Sequence, residues 1–365
     1  VFNPTVAGVP PEEPGDWVDL SLEEAKAWCL AGKSCYWTGL PGTGKSWEAR
    51  EIAKQLSKVQ LLGPTHVSCQ NLQYEGGPEP MTLQRFINKS LKYGSCRGGT
   101  LVIDEASQIH VKIWHWLTVL KRFPVQFLVM GDDHQLGAIQ NSWVQTTLDV
   151  EIGQTTLLKE LCDYRRCILR EGKRSDKYLF NFYRDLAEGD QPLKEQIEAA
   201  RAAFPDKGIA THSLVISHKR RVAINAAVQR QRFREAAPEQ YLRLPPVEMQ
   251  VACETQEMLL WPGVILVGVL PEMKQGIWNS QLLEIKQLAP LRLECLDTAK
   301  TYEVTTEFCQ RYLRLSWALV YASLQGRTMR HSLRLMDLEH PRMTSKILLV
   351  ALSRARSRDM VWLGE

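Results

Sequence analysis

The stretch Gly39-Leu40-Pro41-Gly42-Thr43-Gly44-Lys45-Ser46 decides the fold class. It has the form G-x-x-x-x-G-K-[ST], and it lies between the short apolar run Cys35–Thr38 and a helix-like stretch over residues 47–57. Its glycines let backbone N–H groups surround phosphate oxygens where a side chain would clash. The stretch therefore predicts a nucleotide-binding P-loop between a strand and a helix of an α/β domain.

Each part of this loop has an expected role. Lys45 is expected to place its positive charge against the β- and γ-phosphates of ATP, and the Ser46 hydroxyl is expected to ligate Mg²⁺. The residues predicted to bind the nucleotide along the loop are Gly39, Pro41, Gly42, Thr43, Gly44, Lys45 and Ser46. A glycine-rich turn before a helix, without a ligand, is the alternative interpretation of this motif taken alone.

Two further strands argue against that alternative. The buried run at residues 100–103 ends in Asp104-Glu105, and ligands bind at the carboxyl ends of strands in open α/β sheets. Asp104 is expected to hold Mg²⁺ through water, and Glu105 to polarise the attacking water as a general base. A third strand, over residues 125–130, precedes Gln135, which is the candidate sensor of the γ-phosphate.

The C-terminal third repeats the α/β pattern without a second P-loop. Residues 213–216 predict a strand, residues 219–233 a basic helix, and the runs 347–350 and 360–363 two further strands. Arg354 follows the run at residues 347–350. If the two halves face each other, Arg354 can reach the γ-phosphate as an arginine finger, which would tie domain closure to the presence of ATP.

Length and composition limit the remaining classes of protein. A chain of 365 residues exceeds what one core usually organises, so at least two domains are expected. The net charge of +4 does not by itself indicate nucleic-acid binding, but it is compatible with a local basic groove. No apolar run reaches the length of a membrane span and no secretory signal is present, so no membrane association is expected. The nine cysteines lack metal-site spacing and predict reduced thiols in an intracellular protein, and the start at Val1 predicts a piece of a longer polypeptide.

Seven segments in order resemble the motifs of superfamily 1 helicases, in their RecD-like and Pif-like branch. They span roughly residues 39 to 357, nearly the whole chain. They are the P-loop, Gly63-Pro64-Thr65-His66, Asp104-Glu105-Ala106-Ser107, Gly131-Asp132-Asp133-His134-Gln135-Leu136, Asp163-Tyr164-Arg165-Arg166, Leu324-Gln325-Gly326-Arg327-Thr328 and Val350-Ala351-Leu352-Ser353-Arg354-Ala355-Arg356.

The resemblance implies a domain organisation and an activity. It implies two RecA-like domains with parallel sheets, at residues 1–212 and 213–365, with a small β-rich insertion at residues 247–310 of the second. It also implies an ATP- and Mg²⁺-dependent helicase that moves 5′→3′ on single-stranded DNA and unwinds duplexes. Such a motor would act as a monomer, with replication or replicase factors as further partners.

The resemblance also implies roles for single residues. Arg165 would be the first arginine at the γ-phosphate and Arg354 the second. Gln325 and Gly326 would couple the nucleotide cleft to the nucleic-acid groove, with Gly326 at the nucleotide. The positions that would contact the nucleic-acid strand are Thr65, His66, Thr82, His218, Ser323 and Gln325.

The chain departs from the family pattern at two places that affect function. Ala322 and Ser323 stand where the family usually has His-Lys, so one expected phosphate contact is lost or supplied elsewhere. Residues 20–24, Leu-Ser-Leu-Glu-Glu, stand where an adenine-recognising Gln is expected, which leaves the base selectivity open.

Two other functions remain open at this point. One is an RNA helicase of the superfamily 1 type found in viral replicases, which would differ from a DNA helicase in recognising the 2′-hydroxyl. The other is a nucleotide-switched clamp that binds nucleic acid without unwinding it.

Overall fold

The computed structural model describes residues 15–93, 98–137, 142–143, 146–147, 151–248, 255–270 and 274–364. The chain forms two compact units: the described parts of Val1–Asp133 and Gly137–Glu171 make the first, and His134–Leu136 with Gly172–Glu365 make the second. No helix in the part of the chain that the structure describes is both long and apolar enough to cross a membrane.

The first unit is built around one parallel sheet of seven strands, in the order β1-β9-β2-β6-β5-β3-β4. A separate two-stranded pair, β7 with β8, follows β6 in the chain. The elements are β1 (Val18–Leu20), α1 (Leu22–Leu30), β2 (Cys35–Thr38), α2 (Lys45–Ala53), β3 (Val59–Gly63), α3 (His66–Leu72), β4 (Met81–Thr82), α4 (Leu83–Tyr93), β5 (Gly99–Ile103), α5 (Val111–Leu120), β6 (Val125–Met130), β7 (Ser142–Trp143), β8 (Thr146–Thr147), α6 (Thr156–Leu161) and β9 (Arg165–Ile168).

The central strands of this sheet are covered on both faces. All six residues of β6 are buried, as are four of the five residues of β5. Alternate strand residues contribute to two apolar clusters, one containing Phe127 and Val129 and the other containing Leu128 and Met130. Strands that are buried on both faces appear in sequence as continuous apolar runs, which is why these strands could be predicted.

The second unit contains a parallel sheet of four strands and a separate antiparallel sheet of five. Their orders are β18-β10-β19-β20 and β16-β15-β14-β13-β17. The elements are α7 (Lys177–Glu188), α8 (Leu193–Ala203), β10 (His212–Val215), α9 (His218–Ala236), β11 (Leu242–Leu244), β12 (Met258–Leu260), β13 (Ile265–Gly268), β14 (Leu282–Leu288), β15 (Leu291–Cys295), β16 (Thr301–Glu303), α10 (Thr306–Tyr312), β17 (Leu313–Leu315), β18 (Ala318–Val320), β19 (Leu333–Leu335), α11 (Ser345–Leu352) and β20 (Val361–Leu363).

The β-rich segment has its own core. Leu266, Leu283, Ile285 and Leu293 are fully buried, and they belong to one apolar cluster between the antiparallel strands and α10. Alternation along the strands directs these side chains to one face. The predicted fold class, two parallel α/β sheets with a small β-rich insertion in the second half, is confirmed.

One predicted strand is wrong. Residues 347–350 do not form a strand; they lie in α11, which begins after Thr344 and ends at Leu352. The Thr344 hydroxyl accepts a hydrogen bond from the backbone N–H of Ile347 at 3.2 Å and so caps the helix. Every residue from Leu348 to Leu352 is buried. A short apolar run with no polar alternation fits a buried helix and a buried strand equally well, and here the helix forms.

The compact units divide the chain at a different place from the predicted domains. Helices α7 and α8 belong to the second unit, where α7 packs on α11 and α8 on β20. The antiparallel sheet reaches Leu315 through β17, five residues beyond the predicted end of the insertion at residue 310. The domain bounds at residues 212 and 247–310 stay predictions.

Candidate functional site

The P-loop backbone has the conformation that its glycines predict. Gly39, Gly42 and Gly44 have φ values of 136°, 84° and 96°, in the region that L-residues rarely adopt. A Cβ added to Gly39 would lie 2.2 Å from the carbonyl oxygen of Leu169. Gly39 is therefore required both by its φ and by the close approach of the segment that follows β9. The Thr43 hydroxyl donates to the Leu40 carbonyl at 2.9 Å within the loop.

Lys45, Ser46, Asp104 and Glu105 lie together at the carboxyl edge of the first sheet. The Lys45 ammonium donates to the carbonyl oxygens of Gly39 and, at 3.0 Å, of Leu40. The Ser46 hydroxyl donates to the Asp104 carboxylate at 2.8 Å. Since β5 and β2 are both neighbours of β6 in a parallel sheet, the residues after their carboxyl ends meet at one edge.

The Asp104 carboxyl is unusual because it is 4% exposed. Burial, and after it the neighbouring Glu105 charge, raise its pKa to about 7, although the Ser46 hydroxyl and the Lys45 charge oppose the shift. A buried carboxylate with two oxygens beside a serine hydroxyl fits Mg²⁺, which prefers oxygen ligands and would supply the missing positive charge. Ser46 and Asp104 are the residues that would hold the ion.

Glu105 is held in a strained backbone conformation. Its φ of 53° and ψ of 51° lie in the left-handed region, which costs a non-glycine residue about 1–3 kcal/mol. Its backbone N–H donates to the Asp104 carboxylate at 2.9 Å, so the turn orients one carboxylate against the other. Such strain is typical of residues placed for function, and Glu105 can act as a general base here.

Gln135 and Arg354 contact each other within the second unit. The Arg354 guanidinium donates to the Gln135 side-chain oxygen at 3.3 Å, to the Val350 carbonyl at 3.0 Å and to the Arg327 carbonyl at 3.3 Å. Arg354 is 1% exposed. It is therefore a buried residue at the end of α11 and not a helix-surface arginine. Its hydrogen bonds fix the guanidinium beside the residue predicted to sense the γ-phosphate.

The position of Arg165 does not support the role that the resemblance gave it. Arg165 is the first residue of β9, and Arg166 pairs with Tyr36 of the parallel strand β2. Arg165 therefore lies at the amino edge of the sheet, whereas the P-loop follows the carboxyl end of β2. Its guanidinium lies 5.1 Å from the ring centroid of Trp28. The structure brings Lys45, Ser46, Asp104 and Glu105 together, but it does not bring Arg165 to them.

Two arginines outside the predicted site residues follow the carboxyl end of β9. Leu169 donates its N–H to the Thr38 carbonyl at 2.9 Å, and the exposed Arg170 comes next in the chain. Arg174, in the second unit, donates to the carbonyl of Ser353 at 3.4 Å. Ser353 immediately precedes Arg354 in the sequence. The signal was available, because the apolar run that ends at Leu169 places the following residues at the carboxyl edge of the sheet.

The candidate nucleic-acid residues of the first unit lie on one surface. Thr65 follows β3, and Thr82 is the last residue of β4. The two strands are paired in parallel, and Gly63 of β3 lies opposite Thr82. The Thr65 hydroxyl caps α3 by accepting from the Ser68 N–H at 3.2 Å. Partial burial and the charge of Arg85 lower the pKa of His66, so the histidine is neutral near pH 7. The exposed Arg85 is a further cation on this surface, outside the predicted contact residues.

The candidate residues of the second unit also share one sheet edge. His218 begins α9 after β10, and Ser323 follows β18, which pairs in parallel with β10. The Ser323 hydroxyl donates to the Val320 carbonyl at 2.7 Å. Gln325 donates to the Leu136 carbonyl at 2.6 Å, and Gly326 has a φ of 77°. Gln325 is therefore bonded to the segment that contains Gln135.

Comparison with known proteins gives matches to one family model and to solved structures. Residues 23–202 match a family model described as an AAA domain. The Pif1 helicase from Candida albicans has 18% sequence identity and a TM-score of 0.64, over 94% of this chain and 93% of that one. Pif1 helicase from Bacteroides in complex with ADP-AlF3 and ssDNA has 14% identity and a TM-score of 0.61, over 94% and 92%. Bacteroides Pif1 bound to ssDNA has 14% identity and a TM-score of 0.60, over 94% and 91%. No curated protein sequence matches the chain.

These matches confirm the fold that the resemblance implied, because the chain is similar in structure to Pif1 helicases over most of its length. The AAA domain model covers the P-loop, Asp104 and Glu105, and ends in α8. The structural likeness extends over both units, including the β-rich segment.

Proposed function

We propose that this chain, which contains an AAA domain at residues 23–202 and has the fold of the Pif1 helicases, is an ATP-driven helicase that moves on single-stranded DNA. The observation that carries the proposal is the Ser46–Asp104 hydrogen bond of 2.8 Å with Lys45 and Glu105 beside it. A P-loop with a buried acid and an adjacent base supports hydrolysis, and not nucleotide binding alone.

The proposed reaction is attack of water on the γ-phosphorus of ATP, which breaks the bond from that phosphorus to the bridging oxygen and releases ADP and inorganic phosphate. Glu105 orients this water and accepts its proton, while Lys45 neutralises charge on the β- and γ-phosphates. Ser46 and Asp104 would hold Mg²⁺, which supplies further positive charge at the phosphate oxygens. Arg354, held by hydrogen bonds to Val350, Arg327 and Gln135, is proposed to meet the γ-phosphate in the ATP-bound state, and Gln135 is proposed to sense that phosphate.

The proposed track is a single strand of nucleic acid. Thr65, His66 and Thr82 present polar groups at the carboxyl edge of the first sheet, and His218 and Ser323 do so at that edge of the second. Contacts of this kind hold phosphates and carry no base information, as a translocating motor requires. Movement 5′→3′ as a monomer is proposed from the family branch.

DNA is proposed as the substrate in preference to RNA. Two of the similar Bacteroides structures are described with bound ssDNA, which favours DNA for a chain of the same fold. A replicase-type RNA helicase and a nucleotide-switched clamp remain as outcomes of the test.

The test measures ATP hydrolysis alone, with single-stranded DNA, and with single-stranded RNA of equal length. We expect hydrolysis to require Mg²⁺ and to be stimulated more by DNA than by RNA. Lys45→Ala should abolish the activity, and Lys177→Ala, on an exposed lysine of α7, should leave it unchanged. Stronger stimulation by RNA would identify an RNA motor, and binding without any stimulated hydrolysis would identify a clamp.

A further inference from the structure

Helix α9 presents a basic face of which the proposed strand contacts use only His218, at its first residue. The helix spans His218–Ala236, and its solvent-exposed residues recur at helical spacing over five turns. These exposed residues are His218, Lys219, Arg220, Ala223, Ala227, Arg230, Gln231, Arg234, Glu235 and Ala236. Four of them are lysine or arginine, and one is acidic.

The opposite face fixes the rotation of this helix. Asn225 is fully buried, donates to the carbonyls of Leu315 at 3.0 Å and Ala318 at 3.3 Å, and accepts from the Ala318 N–H at 2.7 Å. One turn later, Gln229 accepts from the Leu259 N–H at 2.7 Å. Because these buried amides attach α9 to β17, β18 and β12, the basic face is held in one orientation towards solvent.

Most of the cations on this face are not paired with an acid of the described part of the chain. Lys219, Arg230 and Arg234 form no ion pair or hydrogen bond through their side chains with any residue that the structure describes. Arg220 lies 3.5 Å from Asp337. The acid of the helix, Glu235, is paired with Arg232 at 3.3 Å. The net charge of the face is therefore positive and directed to solvent.

The spacing of the cations suits an extended polyanion. Lys219 and Arg230 are eleven residues apart, or about 16 Å along the helix axis, and Arg234 lies about one turn further. The two residues between them on this face, Ala223 and Ala227, are small and allow a backbone to approach closely. His218, a proposed strand contact, begins the same helix, so the face continues from the proposed groove along the outside of the second unit.

We infer that the exposed face of α9 binds the phosphate backbone of nucleic acid that extends beyond the groove at His218. This inference rests on the proposed function, because it takes the groove at His218 as its starting point. The ligand class is a single-stranded polynucleotide of any sequence, since lysine and arginine contacts to phosphate do not read bases.

The experiment compares the double variant Arg230→Ala/Arg234→Ala with the parent by fluorescence anisotropy. Labelled oligo-dT strands of increasing length are titrated at several salt concentrations. Each phosphate contact contributes about 0.7 to the slope of log affinity against log salt for single strands. For long strands, we expect the double variant to make this slope less steep by about 1.4, since two contacts are removed. For short strands, we expect the slope and the affinity to stay as in the parent.

The control is Lys177→Ala/Lys194→Ala, which removes two exposed lysines from α7 and α8 of the same unit. It should bind strands of every length as the parent does. A slope like that of the parent for the α9 variant on long strands would overturn the inference. An acidic protein would then be the alternative ligand of this face. Equal weakening on short and long strands would overturn it too, because it would place these arginines in the groove. If the parent itself binds no single strand, the proposed function fails. That outcome is seen in the parent alone and is therefore distinguishable from the two outcomes that concern the double variant.

Discussion

The Asp104 carboxyl links the candidate nucleotide site to pH. Burial raises its pKa from 3.8 to about 7, so between these values the folded chain holds a proton that the unfolded chain has released. The free energy of unfolding must therefore fall as pH rises through this window. Without Mg²⁺, we expect Asp104→Asn to melt a few degrees above the parent at about pH 8, and the difference to shrink towards about pH 4.

Thermal melting at several pH values measures this effect, with the exposed Asp190→Asn as the control. Added Mg²⁺ should stabilise the parent more as pH rises through 7, because the ion and the proton compete for the same carboxylate. Identical melting profiles for Asp104→Asn and Asp190→Asn would show that Asp104 is not the titrating group.

Glu105 is the proposed general base, and its substitution separates binding from hydrolysis. Glu105→Gln keeps the shape of the side chain but cannot accept the proton of the attacking water. We expect turnover to fall by about 10²- to 10⁴-fold while ATP affinity is retained. Steady-state hydrolysis and ATP binding are the two measurements, with the exposed Glu171→Gln as control. Turnover at the parent rate would assign the base to another residue.

Arg354 tests whether the second unit takes part in hydrolysis. Arg354→Lys keeps the charge but cannot reproduce the hydrogen bonds to Val350, Arg327 and Gln135. We expect DNA-stimulated hydrolysis to fall by about 10³- to 10⁵-fold, the range of an arginine finger. Arg358→Lys, on an exposed residue, should change little.

Melting temperatures must be compared in the same experiment, because Arg354 is buried and its replacement can also affect folding. A folded Arg354→Lys variant that hydrolyses ATP as the parent does would remove the arginine from the proposed site.

At the scale of elements, α11 shows where sequence reasoning reached its limit. The run at residues 347–350 is apolar throughout, and its periodicity does not separate a buried strand from a buried helix. Thr344, three residues before Ile347, was the available signal, because threonine is a common helix N-cap. The other predicted strands were correct where an apolar run led directly into a motif, as β2 does at Gly39 and β5 at Asp104.

The Thr344 cap gives a direct test of this helix. Thr344→Ala removes the hydroxyl that accepts from the Ile347 N–H, and it should lower the free energy of unfolding by about 0.5–2 kcal/mol. Ser345→Ala, inside the first turn, should have a much smaller effect. Denaturant unfolding compares the two variants. If residues 347–350 formed a strand, neither substitution would remove a cap and the two would behave alike.

The order of motifs predicted the first half of the site better than the second. Lys45, Ser46, Asp104 and Glu105 could be placed together because each follows the carboxyl end of a predictable parallel strand. Arg165 could not, because the motif order says nothing about which end of β9 it occupies. The contact between Gln135 and Arg354 joins residues 219 positions apart, and only the folded chain shows it.

At the scale of the whole molecule, each of the two units contains its own parallel α/β sheet, but the units differ in the functional residues that they carry. The first carries the P-loop and the two acids, while the second carries Arg354, Gln135 and the β-rich sheet. Binding of ATP and Mg²⁺ would need the residues of the first unit alone. The conversion of ATP hydrolysis into movement is the property that requires both, and it is the central claim of the proposal.

Unwinding of a labelled duplex with one single-stranded tail tests that claim most directly. The parent is compared on a 5′-tailed duplex, a 3′-tailed duplex and a blunt duplex of the same sequence, with ATP and Mg²⁺. We predict unwinding of the 5′-tailed DNA only, dependent on ATP hydrolysis and absent in Glu105→Gln. Unwinding of none of the three, by a protein that hydrolyses ATP and binds the tail, would contradict the account.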